Sequence, residues 1–298
     1  MPLTYVSHQV PALAAKLARP DWFDGTALAL GSMSPDWPFA LAGTRWEVNA
    51  HNTRGVLLLC VPASVVAAVA ARRLAFAASY LPEFPGMPLR RLALLDSRRP
   101  SPVVTVLSAL AGAWSHVAWD SFTHDGRWGA RHVPWLAGRH HVGGRPVSGA
   151  VLAQHTSTVV GGVVGLVLLS RVLREVPDWV DTKPPGWSRQ RPAAAATATA
   201  GAARATAGTV RAAPTTAELA RAARAAVEPG EGVPPGQKRF WASVAAGTAA
   251  GAVWGSRGGW DGRFNLAVLV IRTSFGTAAG AVAGALVARR KLRGATSV

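Results

Sequence analysis

A helix that crosses a bilayer needs about 20 mostly apolar residues, and this chain contains five runs close to that length. Val56–Ala71 ends at the pair Arg72-Arg73, so its span starts slightly earlier, near Thr53. Val103–Trp119 is interrupted by His116, and Val151–Val172 carries His155 near its start. Phe240–Gly255 and Leu266–Ala288 complete the set. Flanking Trp and Arg side chains can snorkel and complete the two runs that are short. Thr26–Met33 is apolar but too short to span, which predicts a buried or interfacial helix. The fold expected is all-α, a polytopic transmembrane helical bundle of about five spans plus a short N-terminal helical segment. Met1–Val10 has no basic n-region and does not read as a signal peptide.

The formal net charge of +17 would ordinarily suggest nucleic acid as a partner, but the placement of the charge argues otherwise. With five spans, one side of the membrane holds Arg72–Ser101, Leu173–Arg239 and the tail after Ala288, together carrying 20 Lys and Arg. The other side holds residues 1–55, 120–150 and 256–265, with 10. A Lys/Arg excess marks the cytoplasmic side, so the N-terminus is expected outside. The charge is then a topology signal, and no nucleic-acid partner is expected. Cys60, the single cysteine, lies inside an apolar run and cannot form an intrachain disulfide.

Residues Arg191–Glu231 are Ala, Thr, Arg and Pro in near-repetitive order, too poor in large apolar side chains to build a core. Thr215-x-x-Glu218 is placed to cap a short helix there. This divides the chain into a membrane body (1–175), a low-complexity cytoplasmic linker (176–239), and a two-helix hairpin with a basic tail (240–298). In the hairpin, Gly247, Gly251 and Gly255 recur every four residues, as do Gly276, Gly280 and Gly284. Each trio forms a flat stripe that lets backbones approach closely in lipid, and a homo-oligomer through these stripes is one expectation. Arg272, near the outer end of the last span, is expected to snorkel outward, the alternative being that it faces a polar site.

The chain has 8 His, and the topology drawn from Lys and Arg alone puts all of them at or near the outer face. His8 and Asp36 lie in the N-terminal segment, His51 at the mouth of the first span, His116 and Asp120 at the end of the second. His124 and Asp125 follow, then His132, His140 and His141 in the same loop, and His155 opens the third span. In His116-x-x-x-Asp120-x-x-x-His124, spacing by four puts side chains on one helix face about 6 Å apart, where imidazole and carboxylate can chelate one divalent cation. Such residues are costly at membrane depth unless paired or metal-bound. The plain alternative is a His–Asp hydrogen bond that stabilises a helix end. Asp36 follows Gly31-Ser32-Met33-Ser34-Pro35 in a turn. It either caps the next element or supplies the loop carboxylate that a two-metal site needs as a bridge. His140-His141 sits in a Gly/Arg loop and reads as a solvated turn.

These residues carry a resemblance. Ser7-His8, Gly31-Ser32-Met33-Ser34-Pro35-Asp36, His51-Asn52-Thr53-Arg54-Gly55, Ser115-His116-x-x-Trp119-Asp120-Ser121-Phe122-Thr123-His124-Asp125-Gly126 and Gln154-His155 resemble an uncharacterised bacterial membrane family, domain of unknown function 4184. It resembles in turn membrane-bound proteins described as predicted metal-dependent hydrolases. The resemblance covers roughly residues 1–175, with the linker and hairpin outside it. More distantly, the order His8, Asp36, His51, His116, Asp120 resembles the zinc-ligand order of zinc-dependent phospholipase C. Those enzymes add a His-x-x-x-Glu pair, and the residues after His155, Thr158 among them, supply no Glu.

The resemblance implies a metal-dependent hydrolase of the bacterial inner membrane, multi-pass, with its site at the extracytoplasmic face. His8, Asp36, His51, His116, Asp120 and His155 are the expected ligands of one or two divalent ions, zinc first. Asp125 and His124 are the expected acid/base groups, and a site at headgroup depth suggests membrane lipid, a phosphoester or lipid-linked substrate. The alternatives are a non-catalytic membrane protein whose His/Asp cluster is structural, and a transporter, which the lack of an inverted repeat disfavours. On this view the hairpin, which has no His, is dispensable for the site.

Overall fold

The computed structural model describes residues 5–97, 100–181, 236–257 and 265–295. The low-complexity stretch Arg191–Glu231 with its Thr215–Glu218 cap lies outside them, while 176–181 and 237–239 of the expected linker belong to helices. Helix α1 (Tyr5–Ala18) is followed by α2 (Gly25–Met33), which runs on into a 3-10 helix (Ser34–Leu41). A long helix α3 covers Thr53–Arg73, with a π-helical turn over Val56–Cys60. Two 3-10 segments (Ala75–Tyr80, Leu89–Ser97) lead to α4 (Pro102–Thr123). Two short helices, α5 (Trp128–His132) and α6 (Pro134–Ala137), precede a small antiparallel ribbon of β1 (Arg139–Val142) and β2 (Arg145–Ser148). The 33-residue α7 (Gly149–Asp181), then α8 (Gln237–Ser256) and α9 (Leu266–Ala295), finish the bundle. His140 and His141 therefore stand on a strand of a hairpin, where a solvated turn is expected from the sequence.

Among the described residues, four helical stretches are long and apolar enough to cross a membrane: Thr53–Arg73, Pro102–His132, Gly149–Pro177 and Val268–Arg289. The fifth expected span, α8, is a 20-residue helix that lies along α9 but falls short of the other four in apolar character. The bundle is apolar outside and polar inside. Leu58, Val66, Val103 and Val159 point outward, each about two-thirds exposed or more, while Ser7, His8, Asp24, Ser32, Thr105, Ser108, His116 and Asp120 are buried. A protein in water hides its Leu and Val; one in lipid can leave them outside and must instead pair its polar groups within.

The N-terminal segment does not stay at one face. α1 descends in parallel beside α7, and α2 climbs back, so that Lys16 and Asp24 sit with Arg72 at the end of the bundle opposite His8 and Asp36. Asp24 caps α2 by accepting from the backbone of Thr26 and Ala27, and its other oxygen accepts from Arg72 Nη1 at 2.6 Å and Thr105 Oγ1 at 2.9 Å. A carboxylate buried this deeply persists only when fully bonded, and Arg72 and Thr105 supply that. Moving Lys16 and Arg19 across raises the basic count at the Arg72 end to 22 and lowers the other to 8.

Glycine governs two close helix crossings. A Cβ on Gly31 would collide with the carbonyl of Ala109, and one on Gly112 with the carbonyl of Leu28, so α2 and α4 touch backbone to backbone there. In the hairpin, Gly247 and Gly276 each meet the other's carbonyl, Gly280 meets Ser243, and Gly284 meets Phe240. The two glycine stripes fill each other within one chain, which is where the close packing expected of them is used.

Candidate metal centre

The approach of α2 to α4 is what builds the site. With no side chain at Gly31 or Gly112, the Ser32 carbonyl reaches His116 Nδ1 at 2.7 Å. A carbonyl only accepts, so Nδ1 carries a hydrogen and Nε2 is the ring nitrogen turned toward the carboxylates. That Nε2 is buried, 3.4 Å from Asp120 Oδ2 and 3.5 Å from Asp36 Oδ1, and makes no well-formed hydrogen bond. Charge-assisted N–H···O bonds close to about 2.7–2.9 Å, so both contacts are too long for one.

The surrounding groups arrive from separate elements. His8 comes from α1, its Nε2 2.9 Å from Asp120 Oδ1 and its ring stacked on that of His116 at 4.2 Å between centroids. Asp36 lies in the first turn of the 3-10 helix. Its predecessor Pro35 sets φ there and needs no backbone donor. His51 precedes α3, held by an Asn49 side chain on its backbone amide, and its Nε2 lies 3.3 Å from both Asp36 Oδ1 and Asp120 Oδ2. The donor atoms of His8, His116 and Asp120 lie within 4.8 Å of one another, as do those of Asp36, His51 and His116. Burial alone would raise the Asp36 carboxyl, but the His116 and His51 imidazoles beside it outweigh burial and hold it well below the usual carboxylate range. Burial would likewise lower His51, and the carboxylates of Asp120 and Asp36 reverse that and raise it.

Two of the expected residues are not in this group. His155 is exposed, and its Nδ1 bonds the Val151 carbonyl one turn back on its own helix. The residue that turns inward is Gln154, one position and about 100° earlier on α7. Asp125 is exposed in the turn beyond α4, because the helix ends at Thr123 and the chain swings out at Gly126. His124 is placed at the edge of the cluster. Gln154 Nε2 donates to its Nε2 at 3.1 Å, which puts the His124 proton on Nδ1, 3.4 Å from Asp120 Oδ1. Gln154 is the residue whose part sequence reasoning missed, although it stands in the Gln154-His155 pair.

Arg272 also departs from expectation. It is 4% exposed and does not snorkel. Nε donates to the Ala40 carbonyl at 3.0 Å, Nη2 to Ala42 at 2.7 Å and Nη1 to Trp254 at 3.2 Å, with the guanidinium over the Trp254 ring. The hairpin is thereby tied to the end of the 3-10 helix that carries Asp36.

A family model described as Domain of unknown function (DUF4184) matches residues 1–254. The match continues past the expected limit near residue 175 and takes in most of α8. No curated protein and no solved structure matches the chain.

Proposed function

Taking as premise that this chain belongs to the family Domain of unknown function (DUF4184), we propose that it is a membrane-embedded, metal-dependent hydrolase whose site opens to the extracytoplasmic face. The observation that carries this is His116 Nε2, buried without a well-formed hydrogen bond and facing two carboxylate oxygens. A divalent cation satisfies all three at once. The donor set of nitrogen and oxygen, with no sulfur, suits zinc. His116, His51, Asp36 and Asp120 would hold one ion. His8 and the Ser32 carbonyl orient Asp120 and His116 as outer partners do in metal sites. An imidazole nitrogen has one lone pair, so a second ion would share the carboxylates, not His116.

Such an ion lowers the pKa of a bound water and polarises a phosphoryl or acyl oxygen. The chain's own groups do the rest. His124, half-buried at the mouth, holds a proton on Nδ1 beside Asp120 and can exchange it there. Arg127, exposed and 3.4 Å from the His51 carbonyl, places a cation at the same mouth and favours an anionic substrate such as a phosphoester of the membrane surface. The test is elemental analysis of protein purified without added metal. About one zinc per chain, with phosphodiesterase activity lost on chelation and restored by zinc, supports the reading. A metal-free protein that binds no added zinc overturns it and leaves a hydrogen-bonded structural cluster.

We further propose five passes of a bacterial inner membrane, with α8 crossing beside α9 and the Arg72 end in the cytoplasm. In a Cys60→Ala background, a membrane-impermeant thiol reagent added to intact cells is expected to label a cysteine at position 143 and not at 205. The reverse pattern overturns the orientation.

A further inference from the structure

A large cavity lies away from the His/Asp cluster. It has a volume of about 640 Å³, is open to one side, and lies at the opposite end of the bundle between α1, α2, α3, α7 and α9. That volume falls within the roughly 300–1,000 Å³ of ligand pockets. Its wall is almost wholly small and aliphatic, with Leu13, Ala29, Ala70, Leu173, Ala281 and Ala285. Water has little to bond there, and apolar cavities of this kind stay dry and take apolar guests. In a bilayer the guest at hand is a hydrocarbon chain.

The polar groups at the wall are Lys16, Arg72, Asp24 and Thr26. Asp24 is fully engaged by Arg72 and Thr105, and Lys16 donates to the backbone carbonyls of Pro20 and Phe23, so the wall keeps a net positive charge. Arg73 follows Arg72 and is exposed, while Arg171, Arg174 and Glu175 line a separate recess on α7. Basic rims of this kind, at the cytoplasmic end of transmembrane helices, favour anionic headgroups.

We propose that this cavity binds one acyl chain of an anionic glycerophospholipid from the leaflet at the Arg72 end, with the phosphate at Lys16 and Arg72 on its wall. The site is separate from the His/Asp cluster and its test does not depend on metal or on hydrolysis. Full-length protein in mild detergent is mixed with phosphatidylglycerol or with phosphatidylcholine of the same chains and examined by native mass spectrometry. One retained phosphatidylglycerol per chain, in excess over phosphatidylcholine, is expected. Ala281→Trp and Ala29→Phe, which fill the cavity from two different helices, are each expected to reduce retention by about tenfold or more. Lys16→Gln should remove the preference for phosphatidylglycerol while leaving the chain-binding cavity. Equal retention of the two lipids by the wild type overturns the proposal, as does wild-type retention in both cavity-filling variants.

Discussion

Asp120→Ala is expected to abolish zinc binding and to destabilise the protein more than any other single change at the site. Asp120 is the group on which the cluster converges: His8 at 2.9 Å, His51 at 3.3 Å, His116 at 3.4 Å and His124 at 3.4 Å all face its two oxygens. Alanine leaves those imidazoles packed against one another, with Asp36 the carboxylate that remains. Removing one partner of a buried, charged constellation costs about 3–5 kcal/mol. Metal content should fall to background, and thermal unfolding in detergent should shift down. Asp120→Asn separates the two effects, because it keeps the shape and a hydrogen-bonding oxygen while removing the charge. It should bind zinc at least about tenfold more weakly than the wild type with a smaller loss of stability. His140→Ala and His155→Ala are the matched controls, since His140 bonds the Trp135 carbonyl in the ribbon and His155 bonds its own helix. Full zinc occupancy in Asp120→Ala, or loss of zinc in His155→Ala, would overturn the ligand assignment.

Removing the hairpin is expected to weaken the metal site, although it adds no ligand to it. Arg272 satisfies the carbonyls of Ala40, Ala42 and Trp254, and the first two stand at the end of the 3-10 helix that presents Asp36 and just beyond it. Trp37 adds an edge contact with Phe275. The hairpin packs elsewhere as well, with Phe240, Ala285 and Ala288 against Phe76, Ala77 and Tyr80. Buried carbonyls left without donors cost about 1–3 kcal/mol each, so Arg272→Met should loosen residues 34–42 and reduce zinc affinity by about tenfold or more. Arg272→Lys restores charge but not the fork of donors, and should recover little. A chain ending near Val180 should insert and lose zinc in the same way. Wild-type zinc affinity in both Arg272→Met and the truncated chain would show that Asp36 is held without the hairpin.

The membrane class, the helices and the identity of the cluster are all legible in the sequence, because each depends on local or compositional physics. A run such as Val151–Val172 is apolar enough to cross a membrane whatever it packs against, and its excess Lys and Arg flank it at one end. His116 and Asp120 share a helix face by spacing alone. Clustering at one end of the bundle follows from the positions of His8, Asp36, His51 and Asp120 relative to the spans.

What the sequence could not decide depends on helix phase and on contacts between distant segments. Gln154 and His155 are neighbours in the chain, and only the rotation of α7 against α1 and α4 determines which faces the site. The descent of α1 and α2 to the Arg72 end follows from Asp24 and its buried partners, Arg72 and Thr105, 48 and 81 residues away. Arg272 reads as a snorkelling cation until the carbonyls of Ala40 and Ala42, more than 200 residues earlier, are brought beside it. His116 Nε2 faces the carboxylates because Gly31 and Gly112 let two backbones touch, so that the Ser32 carbonyl takes Nδ1 and turns the other nitrogen toward Asp36 and Asp120. Polar groups in a dry interior must find partners, and which partners are within reach is a property of the packed chain.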